Sequence, residues 1–216
     1  MKTIYLVRHG QTYLNYFYRI QGWTDAPLTK SGKEAVSYTA DKLKNIKFDM
    51  AISSDLKRAV DSRNIILSRN RFAKDTKTIE SPLFREEFFG YWDGLDGKEV
   101  LRKISGNEKL DTFKKLVEHG MTMAEIRQKL KKMDPSHLCE NEKEMRQRIY
   151  KAFSWLQEYD NVNNILLIGH GFLTQLIAQM FNKGTCNTDE IPDNSTLTIL
   201  KIINDQVQLV SYGEKL

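Results

Sequence analysis

The sequence predicts an α/β fold on a mostly parallel sheet, and three observations carry that prediction. Short apolar, β-prone runs alternate with segments whose apolar residues recur at helical spacing. Two of those runs, YLVRHG at residues 5–10 and LLIGHG at residues 166–171, end in the same His-Gly pair. The length of 216 residues, 40% of them apolar and 28% charged, suffices for one domain with a substantial core.

In chain order, residues 4–7 read as a buried strand that stops at Arg8-His9-Gly10. Leu28-Thr29-Lys30-Ser31-Gly32 opens a helix reaching about residue 45, with Ala35, Tyr38, Thr39, Leu43 and Ile46 on its inner face. Residues 48–53 (FDMAIS) form a second strand. Ser54-Asp55 then offers an N-cap for a helix over 56–68, with Leu56, Ala59, Val60, Ile66 and Leu67 inward. Residues 76–80 are a short strand, and 82–97 an aromatic, acidic loop. A charged helical segment fills 98–133, with breaks near Gly106 and Gly120. It reads as a cap insertion, bounded at about 98–135, within a single domain spanning 1–216. A helix at 141–159, a strand at 165–168 and a helix at 171–181 follow. Two last strands, about 196–203 and 207–212, flank a turn at Asn204-Asp205.

Composition narrows the function. No run of 18 apolar residues occurs, so no membrane partner is expected. The first ten residues are too short in apolar content for a secretory signal, and Cys139 and Cys186 stand far apart without CxxC spacing. Both point to the cytoplasm. The net charge of +5 is local: residues 101–135 hold nine Lys/Arg against five Asp/Glu. A solvated helical face is the simpler reading; a positive rim that draws in anions is the functional one. No zinc-finger, RNP-like or helix-turn-helix pattern accompanies the charge, so nucleic acid is not an expected partner.

Ligand sites in open α/β sheets lie beyond the carboxyl ends of the strands. If the two His-Gly strands are parallel neighbours, His9 and His170 face one crevice. Either histidine alone is most simply a satisfied strand-end residue. Two of the chain's four histidines in the same context favour chemistry. Zinc would want three or four ligands, often spaced HxH, HExxH or CxxC, and none of these patterns is present, so no metal is expected. Phosphoryl transfer fits better, because it needs cations and donors around the non-bridging oxygens. Arg8 and Arg58 supply permanently charged forks, Arg58 in the first turn of its helix, and Asn15 a further donor. A neutral His9 would be the nucleophile, with one ring N–H held by a backbone carbonyl. A protonated His170 would stabilise charge. A leaving alkoxide needs a proton, and FREEFFGYWDG at residues 84–94 offers Glu86 and Glu87 in an aromatic setting.

Taken in order, these pieces resemble the histidine phosphatase superfamily, the phosphoglycerate mutase-like proteins. The matching stretches are Arg8-His9-Gly10 with Gln11, Thr12 and Asn15; Gln21-Gly22-Trp23-Thr24-Asp25-Ala26-Pro27-Leu28-Thr29 with Gly32; Ser53-Ser54-Asp55-Leu56-Lys57-Arg58-Ala59; Arg85-Glu86 to Gly90; Ile168-Gly169-His170-Gly171; and Asp193-Asn194-Ser195-Thr196. The resemblance implies a three-layer α/β/α sandwich with a helical cap insertion and a phosphohistidine formed on His9. It implies a phosphate pocket of Arg8, Arg58, His170 and Asn15. Glu86 falls at the family's proton-donor position, with Glu87 the close alternative. Gln21, Gly22 and Trp23 match the loop bordering the substrate, and Gly171 a backbone donor to phosphate.

The family contains both phosphatases and mutases. Cofactor-dependent mutases carry a Gly-Glu-Ser element ahead of the helix before the last catalytic strand. Here that region reads Leu138-Cys139-Glu140-Asn141-Glu142, as in many small bacterial phosphatase members. After the general acid, residues 94–100 hold only Lys98 where mutases carry a basic run. The expectation is therefore a metal-independent, bacterial-type phosphatase that uses no cofactor and acts on a small phosphorylated metabolite. Phosphoglycerate mutase and a non-catalytic phospho-ligand binding module are the alternatives. A homodimer is compatible with the sequence.

Overall fold

The computed structural model describes all 216 residues. Six strands and eight α-helices alternate along the chain: β1 (Lys2–Arg8), α1 (Tyr13–Tyr16), α2 (Lys30–Leu43), β2 (Met50–Ser53), α3 (Lys57–Arg69), β3 (Lys77–Glu80), α4 (Gly97–Ser105), α5 (Phe113–Glu118), α6 (Met123–Met133), α7 (Glu142–Gln157), β4 (Asn164–Gly169), α8 (Gly171–Phe181), β5 (Leu197–Ile203) and β6 (Gln206–Glu214). One sheet contains every strand, in the order β3-β2-β4-β1-β5-β6. The four strands from β3 to β1 pair in parallel, while β5 and β6 run antiparallel at one side. The fold is α/β with a mostly parallel sheet. No helix is long and apolar enough to cross a membrane.

Alternation along the strands creates the layers. Ile4, Leu6, Met50, Ile52, Ile165 and Leu167 point to one face and pack with Met145, Ile149 and Phe153 of α7 and with Leu173, Leu176 and Ile177 of α8. Val7, Ala51, Leu166 and Ile168 point to the other, against Val36, Ala40 and Leu43 of α2 and Ala59 and Ile66 of α3. A third cluster joins Val100, Leu101 and Ile104 of α4, Leu116 of α5 and Ile126 and Leu130 of α6 to Phe89 and Trp92 of the preceding loop. Gly106 (φ 69°) and Gly120 (φ 90°) take the left-handed conformation where α4 and α5 end, so the charged segment folds as three short helices.

Two local expectations need correction. On α2, Thr39 and Leu43 are buried as expected, but Ala35 and Tyr38 are exposed, and Gly32, Val36 and Ala40 are buried in their place. The helix starts at Lys30, so the i, i+4, i+7 stripe faces the sheet from Gly32 rather than Ala35. Neither Ser54 nor Asp55 caps α3. Its N-cap is Leu56, without a side-chain bond, because Ser54 Oγ turns to His170 and Asp55 pairs with Arg85. Thr12 caps a further helical turn, α1.

Candidate active site

β1 and β4 are parallel neighbours with Val7 opposite Ile168 and Arg8 opposite Gly169. His9 and His170 therefore leave adjacent strand ends together, their ring centroids 5.1 Å apart. Both are buried, at 2% and 0% exposure. His9 Nδ1 lies 2.8 Å from the Gly10 carbonyl. A carbonyl only accepts, so Nδ1 carries the proton and Nε2 keeps its lone pair. Arg58 Nε donates to that Nε2 at 3.2 Å. Burial first, then the cations Arg58 and Arg8, hold His9 well below an imidazole's ordinary value.

Arg58 is fixed on all sides. Its Nη2 donates to the Gly22 carbonyl at 2.6 Å, and its Nη1 donates to the Thr24 carbonyl and to Asp25 Oδ1, both at 3.1 Å. Arg8 Nη1 donates to the Pro192 carbonyl at 2.6 Å, and its buried Nε has no partner. A Cβ on Gly171 would stand 3.1 Å from Arg8 Cζ, so glycine there lets the guanidinium lie against the start of α8. Asn15 Oδ1 accepts from the Thr12 N–H at 3.3 Å, and Asn194 Nδ2 donates to the His9 carbonyl at 2.9 Å.

Burial, followed by Arg58, His9 and Arg8, holds His170 well below its ordinary value, so the protein's own groups favour the neutral ring, and the proton expected on it among phosphate oxygens would have to be favoured by that anion. Ser54 Oγ lies 2.7 Å from Nε2 and also receives the Leu56 N–H at 3.4 Å. The hydroxyl can donate to or accept from Nε2, while Nδ1 is a buried atom without a partner.

Glu86 and Glu87 separate cleanly. Glu86 lines a cavity of about 330 Å³ shared with Arg8, His9, Gln11, Asn15 and Gln21. Its Oε1 accepts the N–H groups of Leu173 (2.8 Å) and Glu87 (3.0 Å), and its Oε2 that of Phe172 (3.0 Å), placing the carboxylate on the N-terminus of α8. Glu87 turns away and pairs with Arg127 Nε at 2.9 Å, both fully buried. Burial pushes its carboxyl up to about 7 against the pull of Arg127.

The remaining expected residues support the site from behind. Arg58 and His170 contact His9 but do not line the cavity, and neither do Gly22, Trp23 and Gly171. The Gly22 and Trp23 N–H groups are both bound by Asp93, at 2.6 and 3.1 Å. A Cβ on Gly22 would meet the Glu87 carbonyl at 2.3 Å. Trp23 stacks on Phe88 (4.7 Å) and donates to the Glu86 carbonyl at 3.0 Å, which fixes the backbone at Glu86. Sequence reasoning gave Ser54 only a helix cap and assigned no task to Asp25, Asp93 or Asn194. No group of three or more His, Cys, Asp or Glu side chains is gathered as a metal would require.

Comparison with known proteins agrees with this geometry. The sequence pattern of the histidine phosphatase superfamily (branch 1) matches residues 4–215. A 2,3-bisphosphoglycerate-dependent phosphoglycerate mutase of Buchnera aphidicola is 35% identical over 121 residues, 53% of this chain and 50% of that protein. The mouse fructose-2,6-bisphosphatase TIGAR is 35% identical over 106 residues, 48% of this chain and 39% of that protein. The chain spans about half the length of the curated relatives it matches. Among solved structures, the phosphoglycerate mutase of Bacillus anthracis superposes with a TM-score of 0.86 at 26% identity, covering 99% of this chain and 93% of that one.

Proposed function

Because the chain belongs to the histidine phosphatase superfamily, we propose that it is a metal-independent phosphatase that hydrolyses small phosphomonoesters through a phosphohistidine on His9. The observation that carries this reading is the His9 ring: the Gly10 carbonyl holds the Nδ1 proton and thereby leaves Nε2 nucleophilic on the same cavity wall as Glu86. Attack by Nε2 on phosphorus requires the Arg58 Nε–H to give up the lone pair it now holds and pass to a phosphate oxygen. The P–N bond forms as the ester P–O bond breaks, and the departing alkoxide takes a proton from Glu86. A carboxylate has about four acceptor sites. Three on Glu86 are taken by backbone N–H groups, so the fourth is the one that carries the proton given to the alkoxide and later regained from water. In the second half, water attacks the phosphohistidine and gives its proton to Glu86. Phosphate leaves and neutral His9 is restored.

A mutase is the second reading, favoured by the names of the relatives and by Arg19 and Lys98 on the cavity wall, cations suited to a carboxylate. The region that carries Gly-Glu-Ser in mutases supports the phosphatase. Glu140 there accepts the Phe88 N–H at 2.9 Å and pairs with Arg148 at 2.7 Å, and Asn141 caps α7.

The test is a phosphoester panel with chelator present, scored for phosphate release and isomerised product, with rapid quenching to trap label. The expected outcome is phosphate release without isomerisation and an acid-labile, base-stable label that His9→Ala loses together with turnover. Robust turnover by His9→Ala would sink the assignment.

A further inference from the structure

Proton delivery fixes where the leaving alcohol sits: beside Glu86. The groups on that side are aromatic. Phe172 is tied to Glu86 through its own N–H, and its ring packs edge-on against Phe89 (centroids 5.3 Å, 76°) and against Phe113 of α5 (4.8 Å, 73°). Leu101 of α4 and Ile191 complete this wall, and all five residues line the cavity that holds His9. The charged residues of the same cavity lie elsewhere or are engaged. Asp111 is paired with Arg102 and Lys115. Arg19 and Lys98 are exposed at the rim, Arg19 donating to the Gly94 carbonyl at 2.8 Å and Lys98 over the Tyr18 ring at 5.3 Å.

A leaving group bearing a second phosphate or a carboxylate close to its ester oxygen would place that charge against three phenyl rings, at a steep desolvation cost. A flat apolar group there meets ring edges and faces in the arrangement aromatic pairs prefer. Resting on the phosphatase reading, we infer that the preferred substrates are phosphomonoesters whose alcohol carries an aromatic or comparable apolar group within a bond or two of the ester oxygen. The Phe89–Phe113–Phe172 box is the specificity determinant.

Benzyl phosphate, glycerol 3-phosphate and 3-phosphoglycerate test this, since all three release an alkoxide rather than a stabilised phenoxide. In the wild type, kcat/KM for benzyl phosphate should exceed that for each of the others by tenfold or more, the discrimination apolar pockets commonly reach. Phe113→Ala should bring the ratio towards one, and Phe113→Leu should lower it less. A wild-type ratio near one, or a preference for 3-phosphoglycerate, overturns the inference without any variant having to fold. A ratio that Phe113→Ala leaves intact overturns the assignment of the box. Failures remain distinguishable. If no ester labels His9, the phosphatase reading falls with the inference; if His9 labels and phosphate is released without apolar preference, the inference alone falls.

Discussion

At the scale of single residues, the site is built by fixing protons as much as by placing charges. Gly10 O fixes the tautomer of His9, and Ser54 Oγ engages one nitrogen of His170. Burial and the neighbouring arginines keep both rings neutral well below the ordinary value of 6.5. The sign follows: a depressed imidazole stays unprotonated as pH falls, so His9 keeps its Nε2 lone pair on the acid side of neutrality. Titrating the ring Cε1–H resonances of His9 and His170 by NMR from pH 8 to 6 should show neither protonating. A midpoint at or above 6.5 for either would contradict the site's electrostatics. His9, His170, Arg8, Arg58 and Glu86 could be singled out from sequence because residue type and position at element ends suffice. Asp25, Asp93 and Asn194 could not. Their work is to hold backbone N–H and C=O groups and one guanidinium across loops distant in the chain, and no local pattern encodes that.

Elements show the same division. The strands and the helices on the sheet were legible because each carries one apolar face with its own period. The start of α3 was not, since the serine that would ordinarily cap it serves His170 instead. The one-turn helix α1 buries no residue and so leaves no periodic trace. Between elements, α6 is fastened to the acid loop by Arg127, which is paired with Glu87 at 2.9 Å and reaches Glu142 at 3.4 Å. With Glu87 pushed up to about 7, its charge and its need of Arg127 are largely absent at pH 5 and present at pH 8. Arg127→Met, which leaves Glu87 buried without its cation and drives it to take up a proton, should therefore cost about 1.4 kcal/mol more at pH 8 than at pH 5. Urea unfolding at the two pH values measures the difference, and equal losses would show that the pair is not what ties α6 to the loop.

For the molecule as a whole, the basic surplus of residues 101–135 proves largely neutralised locally. Arg102, Lys114, Lys115, Arg127 and Lys131 are all engaged in ion pairs. Of the four without an ion pair, Lys129 donates to the Ile104 carbonyl, Lys103 lies over the Trp92 ring, and Lys109 and Lys132 are exposed; none lines the cavity. The segment is thus a solvated set of helices more than a steering rim, and screening by salt already weakens exposed charges beyond roughly 10 Å. Lys109→Gln with Lys132→Gln should leave kcat/KM at low salt within about twofold of the wild type, given how little distant exposed charges contribute. A larger fall that salt abolishes would restore the steering role. The sheet order also bears on how the chain is made. β1 emerges first, yet both strands that flank it, β4 and β5, come from the far end of the sequence. At ribosomal speeds of about 5–20 residues per second, its apolar edges wait roughly 10–30 s for β4 to be synthesised. During that interval β1 lacks both partner strands and presents the kind of unpaired apolar edge that invites aggregation.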